Sequence, residues 1–475
     1  MLGKDNIFSY KDLLAADKNF NKLSFVAFII LIPTLIGLVI LSEMYLILLP
    51  VLIALPFVLM IIVKPKAWLY TMTASLMIFF HAGGEDVGVL DVVLGIFYVG
   101  SLAVYFVRKS LIVKEKIMLN IGDWAILTFF TLLLFNFVIA VANDVEPINW
   151  LREYLLIINL LMYFPVRDIL KTENDVNKFL LFFAIIIILT GTYQIIEYYR
   201  KISTNIVYAY ELKKSLTINQ TLYTAASIIG FIFAFSQKNK WREFIIVGMT
   251  ALYVVFLIST FSRTFWLVLG LAFLLMFFLL PAKKKVTFLT YLGVISSVVI
   301  LGAFLLMKDK ADIALSVAFE RLESTSAGRK DVSLIARFKE WEKLTYHIKQ
   351  NPLGGNGLTK VFTFHFPINS RARHTHIIHN GYIWLLYRTG IPMTLLFIFF
   401  LLYYTIKAIN LIPKSQSLTQ RALLIAALSV FLALYIVNLT SSQFFYRDGI
   451  FVTSMTIAFI CIGEKLILSK NTRTE

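Results

Sequence analysis

The sequence predicts an all-α, polytopic integral membrane protein. Hydrophobic residues make up 59% of the 475 residues and charged residues only 15%, so the chain has too few charges to cover a water-soluble fold of this size. Apolar runs of about 18 or more residues recur along the chain, and each is long enough to cross a hydrocarbon core about 30 Å thick. Because the runs are continuously apolar and do not alternate, helices are predicted rather than a closed β-barrel.

The apolar runs predict about twelve to fourteen membrane-spanning helices. The run at 150–164 is short for a span. The run at 380–407 is too long for one straight helix and contains Gly390 and Pro392, which suggests a half-helix followed by a span. The approximate ranges of the predicted spans are 23–42, 44–63, 67–82, 89–107, 123–142, 150–164, 178–197, 221–236, 243–260, 264–281, 286–307, 380–407, 422–440 and 449–466.

The distribution of lysine and arginine predicts that both termini are cytoplasmic. In that orientation the segments assigned to the cytoplasm hold 25 of the 45 Lys and Arg residues, as the positive-inside rule requires. The short outer turns near Ser42, Glu85 and Asp144 hold almost none. Because the basic residues are scattered among short loops, the net charge of +17 follows from membrane insertion and does not predict a nucleic-acid partner.

The predicted organisation has three parts. Residues 1–307 form an N-terminal bundle of about eleven spans, residues 308–379 form one large periplasmic or extracellular loop, and residues 380–475 form C-terminal membrane helices. Long ordered loops are usually functional, so a site is expected in this one. The single cysteine, Cys461, excludes a disulfide framework within one chain, and the polar, mixed-charge stretch 1–22 is not predicted to be a cleavable signal.

The loop contains a predicted amphipathic helix at 331–350, with Asp331 or Ser333 as N-cap and Asn351-Pro352 as its stop. At 100° per residue its apolar face consists of Leu334, Phe338, Trp341, Leu344, Thr345 and Ile348. We expect this helix to lie over the bundle at the membrane surface. After it, the sequence NPLGGNG at 351–357 predicts a tight, backbone-exposed turn.

Three arginines are candidate anion ligands on the outer side. Arg337 falls inside the apolar stripe of the amphipathic helix, where it either snorkels to water or points into an outer-facing cavity. Arg263 lies where the predicted span 264–281 begins, and the free N–H groups of a helix N-terminus favour a phosphate. Arg152 opens the span at 150–164 on the same side. The alternative for Arg263 and Arg152 is an interfacial anchor.

Four of the six histidines lie between 365 and 379, just before a span. The spacing of His374, His376 and His379 suggests a metal site, but Arg371 and Arg373 would repel a cation and no acidic residue or cysteine is close by to complete the ligand set. An anion-tolerant site with one histidine as base or orienting residue is therefore favoured, with no metal and no cofactor.

These motifs together resemble the O-antigen ligase and O-antigen polymerase superfamily of bacterial envelope glycosyltransferases. The resemblance rests on an arginine-bearing amphipathic helix that ends in Asn-Pro-Leu-Gly-x-Asn-Gly, on His379-Asn380 at the start of a span, on Gly390-Ile391, and on Ser262-Arg263 upstream. Many members have an acidic residue just before the Gly-Ile pair, whereas this chain has Arg388-Thr389. A function assigned to that acid therefore does not transfer.

The resemblance implies a GT-C-like fold in the bacterial cell membrane and an undecaprenyl-pyrophosphate-linked glycan as donor. The glycan would pass to an acceptor sugar hydroxyl on the outer face, with inversion and without a metal. His379 is the expected base or acceptor-orienting residue, and Arg263 and Arg337 are the expected pyrophosphate clamp. Four residues are weaker candidates for substrate contacts: Arg152, His376, Asn380 and Tyr382.

A surface polysaccharide polymerase is favoured over a ligase that transfers to lipid A core or another surface acceptor. Membrane lipids, the glycan acceptor and a chain-length regulator are the further partners expected for such an enzyme. One alternative is a lipid-linked oligosaccharide flippase, although the spans are poor in the buried cations that a translocation path would need. Another is a metal-dependent glycosyltransferase that uses Glu85-Asp86 or Asp144-x-Glu146.

Overall fold

The computed structural model describes residues 60–78, 89–204, 219–279, 282–306, 332–365 and 372–474. The chain divides into two compact units, residues 1–68 and 69–475. The described part of the first unit is helical at 60–63 and contains the start of helix α1, which begins at Pro65. All that follows concerns the second unit.

The described residues are almost entirely helical. The α-helices are α1 (Pro65–Ile78), α2 (Val89–Val107), α3 (Ile121–Ala142), α4 (Pro147–Ile157), α5 (Tyr163–Ile169), α6 (Glu173–Thr204), α7 (Gln220–Ser236), α8 (Lys240–Ile258), α9 (Arg263–Leu279), α10 (Ala282–Leu306), α11 (Val332–Gln350), α12 (Gly381–Leu411), α13 (Leu418–Val437) and α14 (Arg447–Thr474).

Seven helices in the described ranges are long and apolar enough to cross a membrane. They are α3, α6, α8, α10, α12, α13 and α14, and two shorter apolar helices, α7 and α9, lie among them. The prediction of an all-α polytopic membrane protein is confirmed. The predicted span 23–42 and most of 44–63 lie outside the described residues.

The predicted span at 150–164 is wrong as a single helix. Helix α4 ends at Ile157, a 3₁₀ turn runs from Ile158 to Met162, and α5 begins at Tyr163. Pro165 has no N–H to donate to the carbonyl four residues earlier, so an α-helix cannot run through this point intact. In the first turn of a new helix, however, proline costs nothing, because those N–H groups have no intrahelical partner.

Hydrogen bonds link the helices at both ends of the bundle. At one end, Asp123 of α3 accepts from Tyr404 Oη of α12 at 2.7 Å and from Arg167 Nη1 of α5 at 2.8 Å. At the other end, Thr221 N–H of α7 donates to Asp448 Oδ2 of α14 at 2.9 Å. Which end faces the cytoplasm rests on the lysine and arginine count alone.

A two-stranded antiparallel hairpin, which the sequence did not predict, precedes α12. Strand β1 (Phe362–His365) pairs with β2 (Ala372–Thr375), with Phe362 opposite Thr375. Phe362 and Phe364 are buried on one face of β1, while Thr363 between them lies 2.8 Å from His374 Nδ1 across the hairpin. The alternation of apolar and polar side chains fits a strand with one buried face.

Helix α11 is rotated from the predicted orientation. Phe338 and Thr345, assigned to the buried face, are exposed, and Phe338 is 56% accessible. The innermost positions are Glu340 and Leu344, at 1% and 0%. The predicted apolar face rests on hydropathy alone. A carboxylate such as that of Glu340 can be buried when it has a hydrogen-bond partner, and hydropathy does not show this. Helix α11 packs against α12 and β1.

Candidate functional site

Helix α12 is broken near the predicted outer end of the bundle. Gly390 has φ 79° and ψ 176°, so the helix stops and restarts there, as Gly390 and Pro392 suggested. In an intact helix the N–H of Ile391 would bind the carbonyl of Tyr387, and residue 392 would bind that of Arg388. Ile391 N–H instead donates to Pro352 O at 2.7 Å, and Pro392 has no N–H. The carbonyls of Tyr387 and Arg388 are therefore released.

The glycine-rich turn at 351–357 inserts into this break and satisfies both carbonyls. Asn356 N–H donates to Tyr387 O at 2.8 Å, and Gly357 N–H donates to Arg388 O at 3.1 Å. Gly355 has φ 69°, and a Cβ there would lie 2.6 Å from the backbone of Arg388. The turn was predicted to expose its backbone, but residues 355–358 are buried. Non-helical backbone at membrane depth needs such internal pairing.

Asn136, in the middle of α3, joins the turn to the broken helix. Its Nδ2 donates to Arg388 O at 2.9 Å and its Oδ1 accepts from Leu358 N–H at 3.1 Å. The side chain is 1% exposed. The motif residues from 351 to 357 thus act as structural elements that fix the base of the site, and sequence reasoning missed Asn136 altogether.

His379 lies just before α12 and is held by Glu340 of α11. Glu340 Oε1 accepts the backbone N–H of His379 at 2.7 Å, and Oε2 lies 2.8 Å from His379 Nδ1. The Glu340 side chain is 2% exposed and that of His379 is 35% exposed. Among the described residues, no group is hydrogen-bonded to Nε2 of His379. The imidazole therefore presents one open nitrogen at the predicted outer end.

The turn after α13, residues 438–442, brings two candidate elements together. Asn380 Nδ2 donates to Leu439 O at 3.0 Å, which attaches the start of α12 to this turn. Thr440 Oγ1 donates to Thr264 Oγ1 at 3.2 Å, which attaches the start of α9 to the same turn. The N-termini carrying His379 and Arg263 thus share one support.

Arg263 is the first residue of α9, as expected from the sequence. Ser262 O accepts the N–H groups of Phe265 and Trp266 at 3.1 and 3.2 Å, which starts the helix. Phe261 adopts a left-handed φ of 51°, a conformation that costs a bulky residue energy and is found mostly at constrained sites. Arg263 itself is partly exposed.

Arg337 lies on α11 and Arg152 on α4. Arg337 is partly exposed and lies three residues, about one helical turn, before Glu340. Arg152 is partly exposed on α4 and adjoins Glu153. Burial raises the pKa of the Tyr446 hydroxyl, and the carboxylates of Glu153 on α4 and Glu340 on α11 contribute to the same increase.

Arg388, at the position where many members of the resembling family have an acid, is completely buried. Its Nη2 donates to His376 O at 2.5 Å. Its Nε and Nη1, and Oε2 of Glu153, have no hydrogen-bond partner among the described residues, and the two side chains attract each other electrostatically. Arg388 therefore supports the segment that leads to His379.

The weaker candidates have structural contacts. Asn380 caps α12, with Oδ1 accepting from Tyr382 N–H and Ile383 N–H at 2.9 and 3.0 Å. Since Nδ2 of Asn380 is also engaged, a sugar contact would have to displace these bonds. Tyr382 Oη donates to Tyr435 O at 3.1 Å. His376 is partly exposed and contributes its carbonyl to Arg388.

The residues of the metal hypotheses are dispersed. His374 pairs with Thr363 and His379 pairs with Glu340. Glu146 Oε2 accepts from Asn149 Nδ2 at 3.1 Å. Within the described ranges no group of three or more His, Cys, Asp and Glu residues could hold a metal ion. Glu85, Asp86 and Arg371 lie outside the described residues.

A comparison with known families finds one match to the part of the chain that contains these residues. The family model described as O-Antigen ligase matches residues 248–398. This segment of the chain is similar to that family. This match confirms the resemblance to the O-antigen ligase and polymerase superfamily. The matched segment contains Arg263, Arg337, Glu340 and His379, whereas Arg152 and the 438–442 turn lie outside it. No curated protein matches the chain at a significant level.

Proposed function

We propose that the protein is a glycosyltransferase of the outer face of the bacterial cell membrane. It transfers a glycan from an undecaprenyl-pyrophosphate-linked donor to a sugar hydroxyl. The observation that carries the proposal is His379, which lies inside the segment that matches the O-antigen ligase family. A buried carboxylate contacts its Nδ1, and within the described ranges Nε2 has no hydrogen-bond partner. Membrane lipids and the lipid-linked glycan are its partners.

In this reaction the acceptor oxygen attacks the anomeric carbon as the bond from that carbon to the pyrophosphate oxygen breaks. The pyrophosphate leaves with the bonding electrons, and the anomeric configuration inverts. The acceptor hydroxyl loses its proton to Nε2 of His379, since a neutral imidazole is a suitable base near neutral pH. Atoms and charge balance without a metal.

The leaving pyrophosphate gains negative charge in the transition state, and cationic donors placed beside it stabilise that charge. Arg263 and Arg337 fill this function, since a guanidinium offers two parallel N–H donors to phosphate oxygens. The free N–H groups at the start of α9 add to the stabilisation. Arg152 is the third, weaker cation of the set.

A polymerase, in which the acceptor is a second lipid-linked repeat, remains the favoured assignment. A ligase would use the same base and clamp with lipid A core or another surface acceptor. The flippase alternative requires cations along a transmembrane path. Arg388 is buried in a span, but it is only two residues before the helix break and bonds the carbonyl of His376, which supports a fixed function near the outer end.

Deletion of the gene, followed by electrophoresis of the surface glycan, separates these activities. Caps with a single repeat indicate a polymerase, and accumulation of free lipid-linked polymer indicates a ligase. Purified protein should form product in EDTA, and His379→Ala should abolish transfer at a normal protein level. Normal surface glycan in the deletion strain would refute the proposed function. If EDTA abolishes transfer by the purified protein and a divalent ion restores it, the proposed metal independence is wrong.

A further inference from the structure

Glu340 contacts His379 through both of its carboxylate oxygens. We propose that Glu340 is a positioning residue that keeps the neutral His379 ring protonated on Nδ1, so that Nε2 is free to accept a proton. This inference rests on the proposed function of His379 as base, and it adds to that function a residue in α11 that makes the ring competent.

The chemistry of the contact determines where the proton lies. A carboxylate only accepts hydrogen bonds, so the 2.8 Å contact between Oε2 and Nδ1 requires the ring to donate from Nδ1. In a neutral imidazole the other nitrogen then has a lone pair. The proton is assigned from the chemistry of its partner.

The burial of Glu340 makes this contact specific. The side chain is 2% exposed, and a buried carboxylate is costly unless hydrogen bonds satisfy it. Both of its hydrogen bonds to described residues go to His379, one to the backbone and one to the ring. Turning the ring away would leave Oε2 unsatisfied in a medium of low dielectric constant, so a single ring orientation is favoured.

The backbone around His379 is already fixed by other elements. Ser442 Oγ donates to Ile378 O at 2.6 Å, and Gly381 N–H donates to Asn438 O at 2.8 Å. Since these bonds hold the chain on both sides of His379, a contact that only anchored the backbone would need one oxygen of Glu340. The second oxygen acts on the ring, which is the part of His379 that reacts.

Glu340→Gln is the sharpest test because it preserves size and removes one acceptor. The amide oxygen can still accept the backbone N–H, but the amide NH₂ then faces Nδ1. Nδ1 must become an acceptor, and the proton moves to Nε2. We expect turnover to fall by about 10²–10⁴-fold, the range for loss of a general base, while KM for the lipid-linked donor stays unchanged. Glu340→Asp should restore part of the turnover.

Glu342→Gln is the matched control. Glu342 lies on the same helix, is 70% exposed and pairs with Lys339 at 2.9 Å. Its substitution should leave both kinetic constants unchanged. If Glu340→Gln behaves like Glu342→Gln while His379→Ala is inactive, the positioning function is wrong and the proposed base stands. If His379→Ala is active, the base assignment itself is wrong and Glu340 has nothing to position.

A spectroscopic measurement tests the inference without any activity. The ¹⁵N resonances of histidine-labelled protein, assigned with His379→Ala, report which ring nitrogen carries the proton. Wild-type protein should show the Nδ1-protonated form, and Glu340→Gln should show the Nε2-protonated form. An Nε2-protonated ring in the wild-type protein would overturn the inference even if Glu340→Gln failed to fold.

Discussion

Asn136 donates a hydrogen bond to the carbonyl of Arg388, 252 residues further along the chain. The bond joins the middle of one membrane helix to the point where another is broken. The Oδ1 atom of Asn136 accepts a hydrogen bond from the backbone N–H of Leu358, at the end of the glycine-rich turn. A single buried amide thus holds together three segments that meet below His379.

Replacing Asn136 by leucine should destabilise the folded protein. Leu358 N–H would lose its acceptor in a buried position, and an unsatisfied buried donor costs about 1–3 kcal/mol. The measurement is thermal unfolding in detergent. Thr131→Val on the same helix, at an exposed position, should change the midpoint little. Equal midpoints for the two variants would mean that the Asn136 bonds contribute nothing.

Gly390→Ala should prevent the glycine-rich turn at 351–357 from inserting into the break in α12. A Cβ at this position would lie 2.3 Å from the carbonyl oxygen of Leu353, and the backbone has φ 79°. We expect low yield and a lower unfolding temperature. Gly270→Ala in α9 is the control, since a Cβ there meets nothing within 4 Å. Alanine in a helix is more stable than glycine by about 0.5–1 kcal/mol, so this variant should fold normally. A stable Gly390→Ala protein would show that the break tolerates a side chain.

Arg388 and Glu153 should compensate each other. Arg388→Met removes the cation that attracts the Glu153 carboxylate, so the unfolding temperature should fall. The double variant Arg388→Met, Glu153→Gln removes both charges and should recover part of that loss. Unfolding temperatures of the two single variants and the double variant form the required cycle. Strictly additive effects would indicate that the two groups do not interact.

Arg337→Lys should lower turnover, because an ammonium group cannot reproduce the two-pronged donor of a guanidinium. Loss of one transition-state donor typically costs about 10²–10³-fold in rate, and the readout is product formed per protein. Arg421→Lys, an exposed position on the predicted cytoplasmic side, is the control. Normal turnover in Arg337→Lys would favour the alternative of a snorkelling surface arginine.

Thiol labelling of intact cells should test the orientation. In a Cys461→Ser background, which removes the buried native thiol, Glu342→Cys should react with an impermeant reagent and Lys414→Cys should not. Both positions are exposed, so access depends on the side of the membrane. Reaction at position 414 alone would reverse the predicted topology.

The parts of the fold that the sequence predicted depend on local signals. Lipid requires apolar spans, so composition alone gives the class of protein. Gly390 and Pro392 mark the helix break because their backbone preferences are intrinsic, and Arg263 marks a helix start by its position after a polar turn.

The parts that were missed depend on distant partners. Glu340 looks like one more polar residue of an amphipathic helix until His379, 39 positions later, is brought against it. Asn136 is a lone amide in an apolar run, and its partners follow more than 200 positions later. The hairpin has strands of four residues each, too short for a clear periodic pattern.

The break in α12 also divides the helix into a part long enough to cross a membrane and a shorter part that precedes it. From Ile391 to Leu411 the helix is about 31 Å long at 1.5 Å per residue, which alone matches the thickness of the hydrocarbon layer. Residues 381–389 form a further helical segment about 13 Å long before the break, and His379 precedes that segment. If residues 391–411 cross the hydrocarbon layer, the break lies at its surface and the proposed reaction takes place near the lipid headgroups. The rate of transfer is then expected to change when the same protein is reconstituted in lipids with longer or shorter acyl chains.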